Sequence, residues 1–361
     1  MRIRSLETFP VALPFREPYV TATGTLERRE MVLIRIEDED GNEGWGDAVP
    51  LSLRGGESLA VVQEQLEAVA VALPGDISLD EWGKSLTPPA LAAIDAALLD
   101  LEGRASGLPG WGVLVAHTRR ESPGGPRPRS VPCNGTLGGG DPGAVAAMAA
   151  ELAAAGFGTL KVKVGTGSDR ERLRAVREAV GPDVKLRIDA NRAWSVDQAA
   201  EEIAVIEAEA GLELAEQPCA ELDELASLRG RISVPIVADE SIASGADARR
   251  AVGLGACDAA TLKLAKVGGP HAALRIASLL PSYLSSALDS PLGIAAAVHT
   301  AQALPGDGFV AELAHGLATS ALFADNVAAD ARLRGPAIEP GSAPGLGIEI
   351  DRDAVERLRI R

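Results

Sequence analysis

The chain of 361 residues is 46% hydrophobic with a net charge of −16, enough apolar material for one large domain and a smaller companion, and no basic stripe for phosphate backbones or anionic lipid. Nucleic acid and membrane are excluded as partners on this reading, since the start of the chain is broken by Glu7, Pro10, Pro14 and Arg16 and offers neither a leader nor a span. Cys133, Cys219 and Cys257 lie far apart with no C-x-x-C, which predicts inert thiols in a reducing cytoplasm.

Residues 2–11 and 31–38 alternate apolar and polar as antiparallel strands do, with Asp40-Gly41 as the hairpin turn. Helical runs follow at 57–73 and 90–102, and the Pro- and Arg-rich stretch 118–128 reads as an exposed linker. Beyond it, short β-like runs recur at 131–137, 159–164, 185–190, 212–217, 234–239, 259–264, 283–287 and 309–314, separated by Ala-rich helical stretches such as 142–155 and 197–210. Eight such steps predict a modified TIM-type (β/α)7β barrel. The Pro- and Gly-rich tail, too short to stand alone, is expected to pack back onto the N-terminal part. The expected division is an α+β capping domain at 1–128, the barrel at 129–328 and the tail at 329–361.

Within the barrel, Asp189, Glu216 and Asp239 end successive strands at intervals of 27 and 23 residues. About that many residues make one βα unit, so the three carboxylates share the C-terminal face of the strands, where three hard oxygen ligands suit Mg²⁺, with Mn²⁺ a substitute. A single Asp in such a place is often only a helix cap; three in succession, flanked by lysines, are not explained that way. Lys163 ends the preceding strand and Lys263 the following one. Lys161, two residues before Lys163 and on the same strand face, would help to lower the pKa of Lys163. A metal between two amines suits abstraction of a proton next to a carboxylate, because positive charge must be in place before a dianionic enediolate forms. Two opposed amines permit 1,1-proton transfer, and one base permits β-elimination or cycloisomerisation; the residues leave this open.

Other motifs carry less. Gly138, Gly140 and Gly143 match the spacing of a dinucleotide loop, yet the next strand ends in Lys163 rather than the acid that would hold a ribose. Gly83-Lys84-Ser85 lacks the first glycine of a phosphate loop, the place being taken by Ser78. His117, His271 and His299 show no metal-ligand spacing and are read as packing or loop residues, while His315, just past the last run, is placed on the catalytic face.

Lys161-Val162-Lys163, Asp189-Ala190-Asn191, Glu216-Gln217-Pro218, Asp239-Glu240-Ser241 and Lys263 followed by Gly268-Gly269 resemble, in this order, the muconate-lactonizing branch of the enolase superfamily. The resemblance covers nearly the whole chain, with Ala93 to Gly103 similar to the helix of that branch's capping domain. It implies Mg²⁺ on Asp189, Glu216 and Asp239, supported by Asn191 and Glu240, with Lys163 as base, Lys263 facing it and Lys161 touching the substrate carboxylate.

Within that branch, Ser285 to Ile294 and His315 to Thr319 are most similar to the o-succinylbenzoate synthases of menaquinone biosynthesis, which implies a dehydrating lyase acting on a small carboxylate. Ser286, Gly316 and Arg16 are the expected substrate contacts, the last in cap loops at 16–23 and 51–56 closing over the barrel mouth. N-succinylamino acid racemases share the same five positions but carry Arg where this chain has Lys266. Dipeptide epimerases and cycloisomerases come behind them, and a catalytically silent metal-binding barrel is more remote. A homo-oligomer is left open.

Overall fold

The computed structural model describes residues 2–21, 24–52, 55–118, 129–306, 308–328, 333 and 335–360. The cap opens with an antiparallel sheet of β1 (Arg2–Thr21), β2 (Gly24–Asp38) and β3 (Glu43–Ala48). Side chains alternate across β2, so Met31 and Leu33 enter the main core, while Val32, Ile34 and Ile36 enter a second one with Val62, Leu66, Ala93 and Ile94. This part of the sheet is therefore buried on both faces rather than apolar on one. Residues 16–21, expected as a loop, continue β1, because Tyr19 to Thr21 pair with Thr25 and its neighbours at the start of β2.

Helix α1 (Leu59–Ala72) follows, capped by the Ser58 hydroxyl, which accepts from Val61 N. The short β4 (Gly75–Asp76) adds to the edge at β1, and α2 (Leu79–Trp82), α3 (Pro88–Ser106) and α4 (Gly110–Thr118) complete this layer. Helix α3 lies hard against β3: a Cβ at Gly46 would stand 2.1 Å from the Ala93 carbonyl oxygen, so only glycine fits. The buried Asp100 on α3 accepts from Trp45 N at 3.0 Å and from Leu346 N at 2.7 Å, joining β3 to the C-terminal tail. Of the expected linker at 118–128, only Thr118 falls within the described residues, as the last residue of α4.

After β5 (Val131–Pro132) comes the barrel, in which strand and helix alternate. The order is β6 (Gly135–Leu137), α5 (Pro142–Ala154), β7 (Thr159–Lys163), α6 (Asp169–Val180), β8 (Lys185–Asp189), α7 (Val196–Ala210), β9 (Leu214–Glu216) and α8 (Leu222–Arg229). It continues with β10 (Ile236–Ala238), α9 (Gly245–Leu254), β11 (Ala259–Leu262), α10 (Leu264–Val267), α11 (Pro270–Ala277), β12 (Ser282–Leu284) and α12 (Pro291–Ala303). Seven strands, β6 to β12, form one parallel sheet in sequence order, as the right-handed βα connection dictates.

The closing strand is not where the sequence pattern puts it. Residues Gly308–Glu312 form a 3-10 helix, whose Val310, with Leu313 three residues on, plugs the barrel interior against Leu214, Val237, Ala259 and Tyr283. A spacing of three belongs to a tight helix, not a strand. Closure falls to His315 and Gly316 instead. His315 N donates to Pro132 O of β5 at 2.7 Å and Gly316 N to Leu284 O of β12 at 2.9 Å, linking β12 to the segment that leads into β6. Beyond, β13 (Ala337–Ile338) pairs with β5, and the segment with α13 (Arg352–Arg357) returns to the cap, where Ala12 N donates to Leu358 O and Ile360 N to Pro10 O, each at 2.9 Å. Among the described residues no helix is long and apolar enough to cross a membrane.

Candidate active site

Parallel register brings the first members of the site together. Lys163 on β7 pairs with Asp189 on β8, which pairs with Glu216 on β9; a slip of one residue would turn these side chains away from each other. Asp239 follows β10 and Lys263 follows β11, so all five stand at the same end of the sheet. Asp189, Glu216 and Asp239 are at most 1% exposed, and ionised carboxylates so placed require positive partners.

Those partners are lysines. Lys161 Nζ lies 2.9 Å from Glu216 Oε1 and 3.1 Å from Asp189 Oδ2. Lys163 Nζ donates to Asp189 Oδ2 at 2.5 Å and to Asn191 Oδ1 at 2.6 Å, and Asn191 Nδ2 donates to Glu240 Oε1 at 2.9 Å. Lys263 reaches Asp239 Oδ2, while Lys266 holds both the Asp239 carbonyl and, at 2.7 Å, its Oδ1. Burial opposes the charge on Lys161, but Glu216 and Asp189 outweigh it and hold its pKa well above the ordinary lysine range. Burial likewise works to raise the pKa of Asp189, and the ammonium groups of Lys163 and Lys161 overcome it and hold it below the carboxylate range. Lys161 is thus a permanent fixed charge.

Among the described residues no three acidic, His or Cys side chains form a ready metal-ligand cluster. The expected trio shares one face, with its oxygens held by the four lysines, the Tyr283 hydroxyl and Asn191 N. The donor set nevertheless fits a hard divalent cation: the oxygens are carboxylate, buried and crowded, and Lys161 already places one cationic atom between Asp189 and Glu216.

The other expected residues are placed as follows. Ser286 is buried, and its hydroxyl accepts from Leu288 N, Asp289 N and Thr319 Oγ1, which makes it the anchor of the turn after β12. Gly316 spends its N–H and carbonyl on barrel closure. Arg16 is an exposed β1 residue whose Nε donates to Ala321 O at 3.0 Å, beyond the closing strand. His315 Nδ1 accepts from Leu284 N at 3.1 Å, and burial with the nearby Arg187 charge pushes its pKa down to about 4, so it is neutral at ordinary pH. The three cysteines are buried; burial raises the Cys133 thiol to about 12 and Cys219 and Cys257 to about 11, so none is a nucleophile.

Three further residues join the site. Lys266 stands on the turn after Lys263, and its spacing of three was the available signal. Gln217 adopts φ of +40°, accepts from Asp239 N and Ser241 N, and donates to Ser241 Oγ and Cys219 O, so it ties β9 to the end of β10. Tyr283 donates its hydroxyl to Glu216 Oε2 at 2.9 Å from across the barrel. No local pattern announces that contact.

Residues 3–114 match the mandelate racemase/muconate lactonizing enzyme N-terminal domain family, and residues 144–354 the enolase C-terminal domain-like family. The chain is 33% identical over 367 residues to a hydrophobic dipeptide epimerase of Enterococcus faecalis, spanning 96% of this chain and 99% of that protein. A solved structure of dipeptide epimerase from Enterococcus faecalis V583, complexed with Mg and L-Leu-L-Tyr, superposes with a TM-score of 0.86 at 32% identity, covering 97% of this chain and 100% of that one. Identity is 45% to the o-succinylbenzoate synthase of Mycobacterium ulcerans, but over 207 residues, 55% of this chain and 60% of that protein. The structure of N-succinyl Arg/Lys racemase from Bacillus cereus ATCC 14579 superposes with a TM-score of 0.89 at 25% identity, over 100% of this chain and 99% of that one.

Proposed function

This chain belongs to the enolase superfamily, in its mandelate racemase/muconate lactonizing enzyme group, and from that premise we propose that it abstracts a proton α to the carboxylate of a small organic acid. The observation that carries the proposal is the placement of Lys163 and Lys263, four strands apart in the curled sheet and each against a buried carboxylate. Asp189, Glu216 and Asp239 would hold Mg²⁺, with Mn²⁺ a substitute, and the bound ion supplies fixed positive charge against the charge that develops on the substrate carboxylate. Lys163 is the base. Asn191 aims its amine, and Glu240 fixes Asn191.

The specific reaction we propose is dehydration of 2-succinyl-6-hydroxy-2,4-cyclohexadiene-1-carboxylate to o-succinylbenzoate, a carbon–oxygen lyase step of menaquinone biosynthesis. Lys163 takes the α proton, the electron pair expels hydroxide from the ring, and the ring becomes aromatic. Lys263, kept as an ammonium, faces the ring, a cation–π contact of about 1 to 2 kcal/mol when desolvated. Three observations support this reading. Identity to the mycobacterial synthase is 45% in the region matched; Lys266 occupies Asp239 where racemases would carry Arg; and Leu317 to Leu322, after the closing strand, has no carboxylate to receive a dipeptide's ammonium.

A second reading, racemisation or epimerisation with both lysines exchanging protons, is favoured by the whole-length likeness to the Enterococcus epimerase and the Bacillus racemase. The deciding experiment assays the cyclohexadiene substrate beside N-succinyl amino acids and dipeptides in deuterated water with Mg²⁺. Chelator-sensitive aromatisation supports the synthase; α-deuterium uptake with racemisation and no aromatisation assigns the protein to the isomerases. Lys263→Arg keeps the charge but hinders proton exchange, so it should impair racemisation far more than dehydration, and equal loss of both would contradict separate roles for the two lysines.

A further inference from the structure

Glu216 is shared between a charged and a neutral donor. Its Oε1 takes the Lys161 ammonium at 2.9 Å, and its Oε2 takes the Tyr283 hydroxyl at 2.9 Å. Tyr283 is on β12, separated from β9 by β10 and β11, and it is 2% exposed. Its ring is gripped by Leu214, Val237, Ala259, Val310 and Leu313. The Arg187 guanidinium lies over it at 5.2 Å, itself held by Glu213 Oε2 at 2.5 Å and the Ala314 carbonyl at 2.6 Å. A ring confined in this way delivers its hydroxyl to one place. An ammonium can be exchanged for another cation, whereas a neutral hydroxyl donor competes with no positive charge and keeps its oxygen.

We propose that Tyr283 is a positioning residue for Glu216, holding Oε2 so that Oε1, now on Lys161, is the oxygen that exchanges its ammonium for a divalent cation. This rests on the reading of Glu216 as a metal ligand. Removing a hydrogen bond behind a metal-binding side chain typically weakens metal affinity 10- to 100-fold, and that is the expected change in the Mg²⁺ dissociation constant of Tyr283→Phe, measured by calorimetry on the folded protein without substrate. A merely structural tyrosine would lower the thermal midpoint and leave that constant alone.

Glu216→Gln is titrated beside it. Loss of Mg²⁺ binding in Glu216→Gln together with a 10-fold or greater weakening in Tyr283→Phe supports the inference. Loss in Glu216→Gln with a wild-type constant in Tyr283→Phe overturns it alone, and wild-type binding in Glu216→Gln overturns it together with the metal reading. Should Tyr283→Phe fail to fold, the wild-type protein answers directly, since it holds only 2 tyrosines. With ¹³Cζ-labelled tyrosine, added Mg²⁺ should shift the resonance that persists in Tyr19→Phe, and an unmoved resonance overturns the inference.

Discussion

Two polar networks hold this molecule together in different ways. At the strand ends, Lys161, Lys163, Lys263 and Lys266 face Asp189, Glu216 and Asp239 in the barrel, all buried except Lys163, whose side chain is 24% exposed. At the seam between cap and barrel, Asp95 and Glu102 of α3, His117 of α4 and His271 of α11 form a line. The contacts are Asp95 Oδ1 to His271 Nδ1 at 2.6 Å, His271 Nε2 to His117 Nδ1 at 3.1 Å and His117 Nε2 to Glu102 Oε1 at 2.9 Å. The two rings face each other, and each meets a carboxylate at its other nitrogen. Exposure rises along it, from Asp95 at 1% to Glu102 at 43%. Buried charges cost stability, and their retention fits the chemistry proposed for this site, while the line, exposed at its outer end, ties α3 and α4 to α11 at little cost.

The contrast can be broken most sharply at Lys163. Lys163→Ala should lower turnover by roughly three orders of magnitude or more, the scale of a lost general base, while circular dichroism still reports a folded protein. Retained turnover would remove the base from the scheme. Next in size is metal loading: Mg²⁺ at about 100 times its dissociation constant should stabilise the fold by about 2.7 kcal/mol, and the same shift should appear in His271→Gln, because the seam is separate from the cluster. A thermal scan with and without chelator checks both.

Gly46→Ala pushes a methyl group into the Ala93 carbonyl at 2.1 Å and should cost about 2 kcal/mol in urea unfolding by overpacking. A neutral result would mean that α3 can retreat from β3. The smallest effect belongs to the seam, where His271→Gln should cost on the order of 1 kcal/mol with a defined pH dependence. Burial works to lower the pKa of His271, but the hydrogen bond and charge of Asp95 outweigh it, so the folded value is raised. The stabilisation is then complete below the unfolded value of about 6.5 and is lost as pH rises through the raised folded value. The gap between wild type and His271→Gln should close across that window, and a gap that stays constant into alkaline pH would sink the assignment. The charged groups facing this ring are Asp95 and Glu102 from α3 and Arg275 from its own helix, with His117 beside it.

Legibility follows the same divide. Lys163, Asp189 and Glu216 end strands in the structure as the spacing predicts, and Asp239 and Lys263 directly follow theirs, because the βα repeat is a local pattern that sets which end of the sheet each residue reaches. Which protein groups partner the trio was not legible: Lys161, Lys163, Lys263 and Lys266 meet its oxygens, with the Tyr283 hydroxyl on Glu216, and Lys266 reads in the sequence only as a departure from a racemase pattern. His117 and His271 read as isolated residues because their line joins positions 154 apart in the chain. The closing strand was misplaced to 309–314 because an apolar run there plugs the barrel rather than pairing.

The sequence by itself determined the alternation of strand and helix, the face on which the carboxylates and lysines gather, and the class of chemistry those residues can support. Tertiary structure alone decided that His315 and Gly316 close the barrel, that Tyr283 reaches Glu216 across 67 positions, and that Asp95 meets His271 across 176. The reason is range. Periodicity and strand-end position are set by neighbours a few residues away, whereas closure, cross-barrel contacts and the cap seam depend on how distant segments pack, which no local pattern encodes.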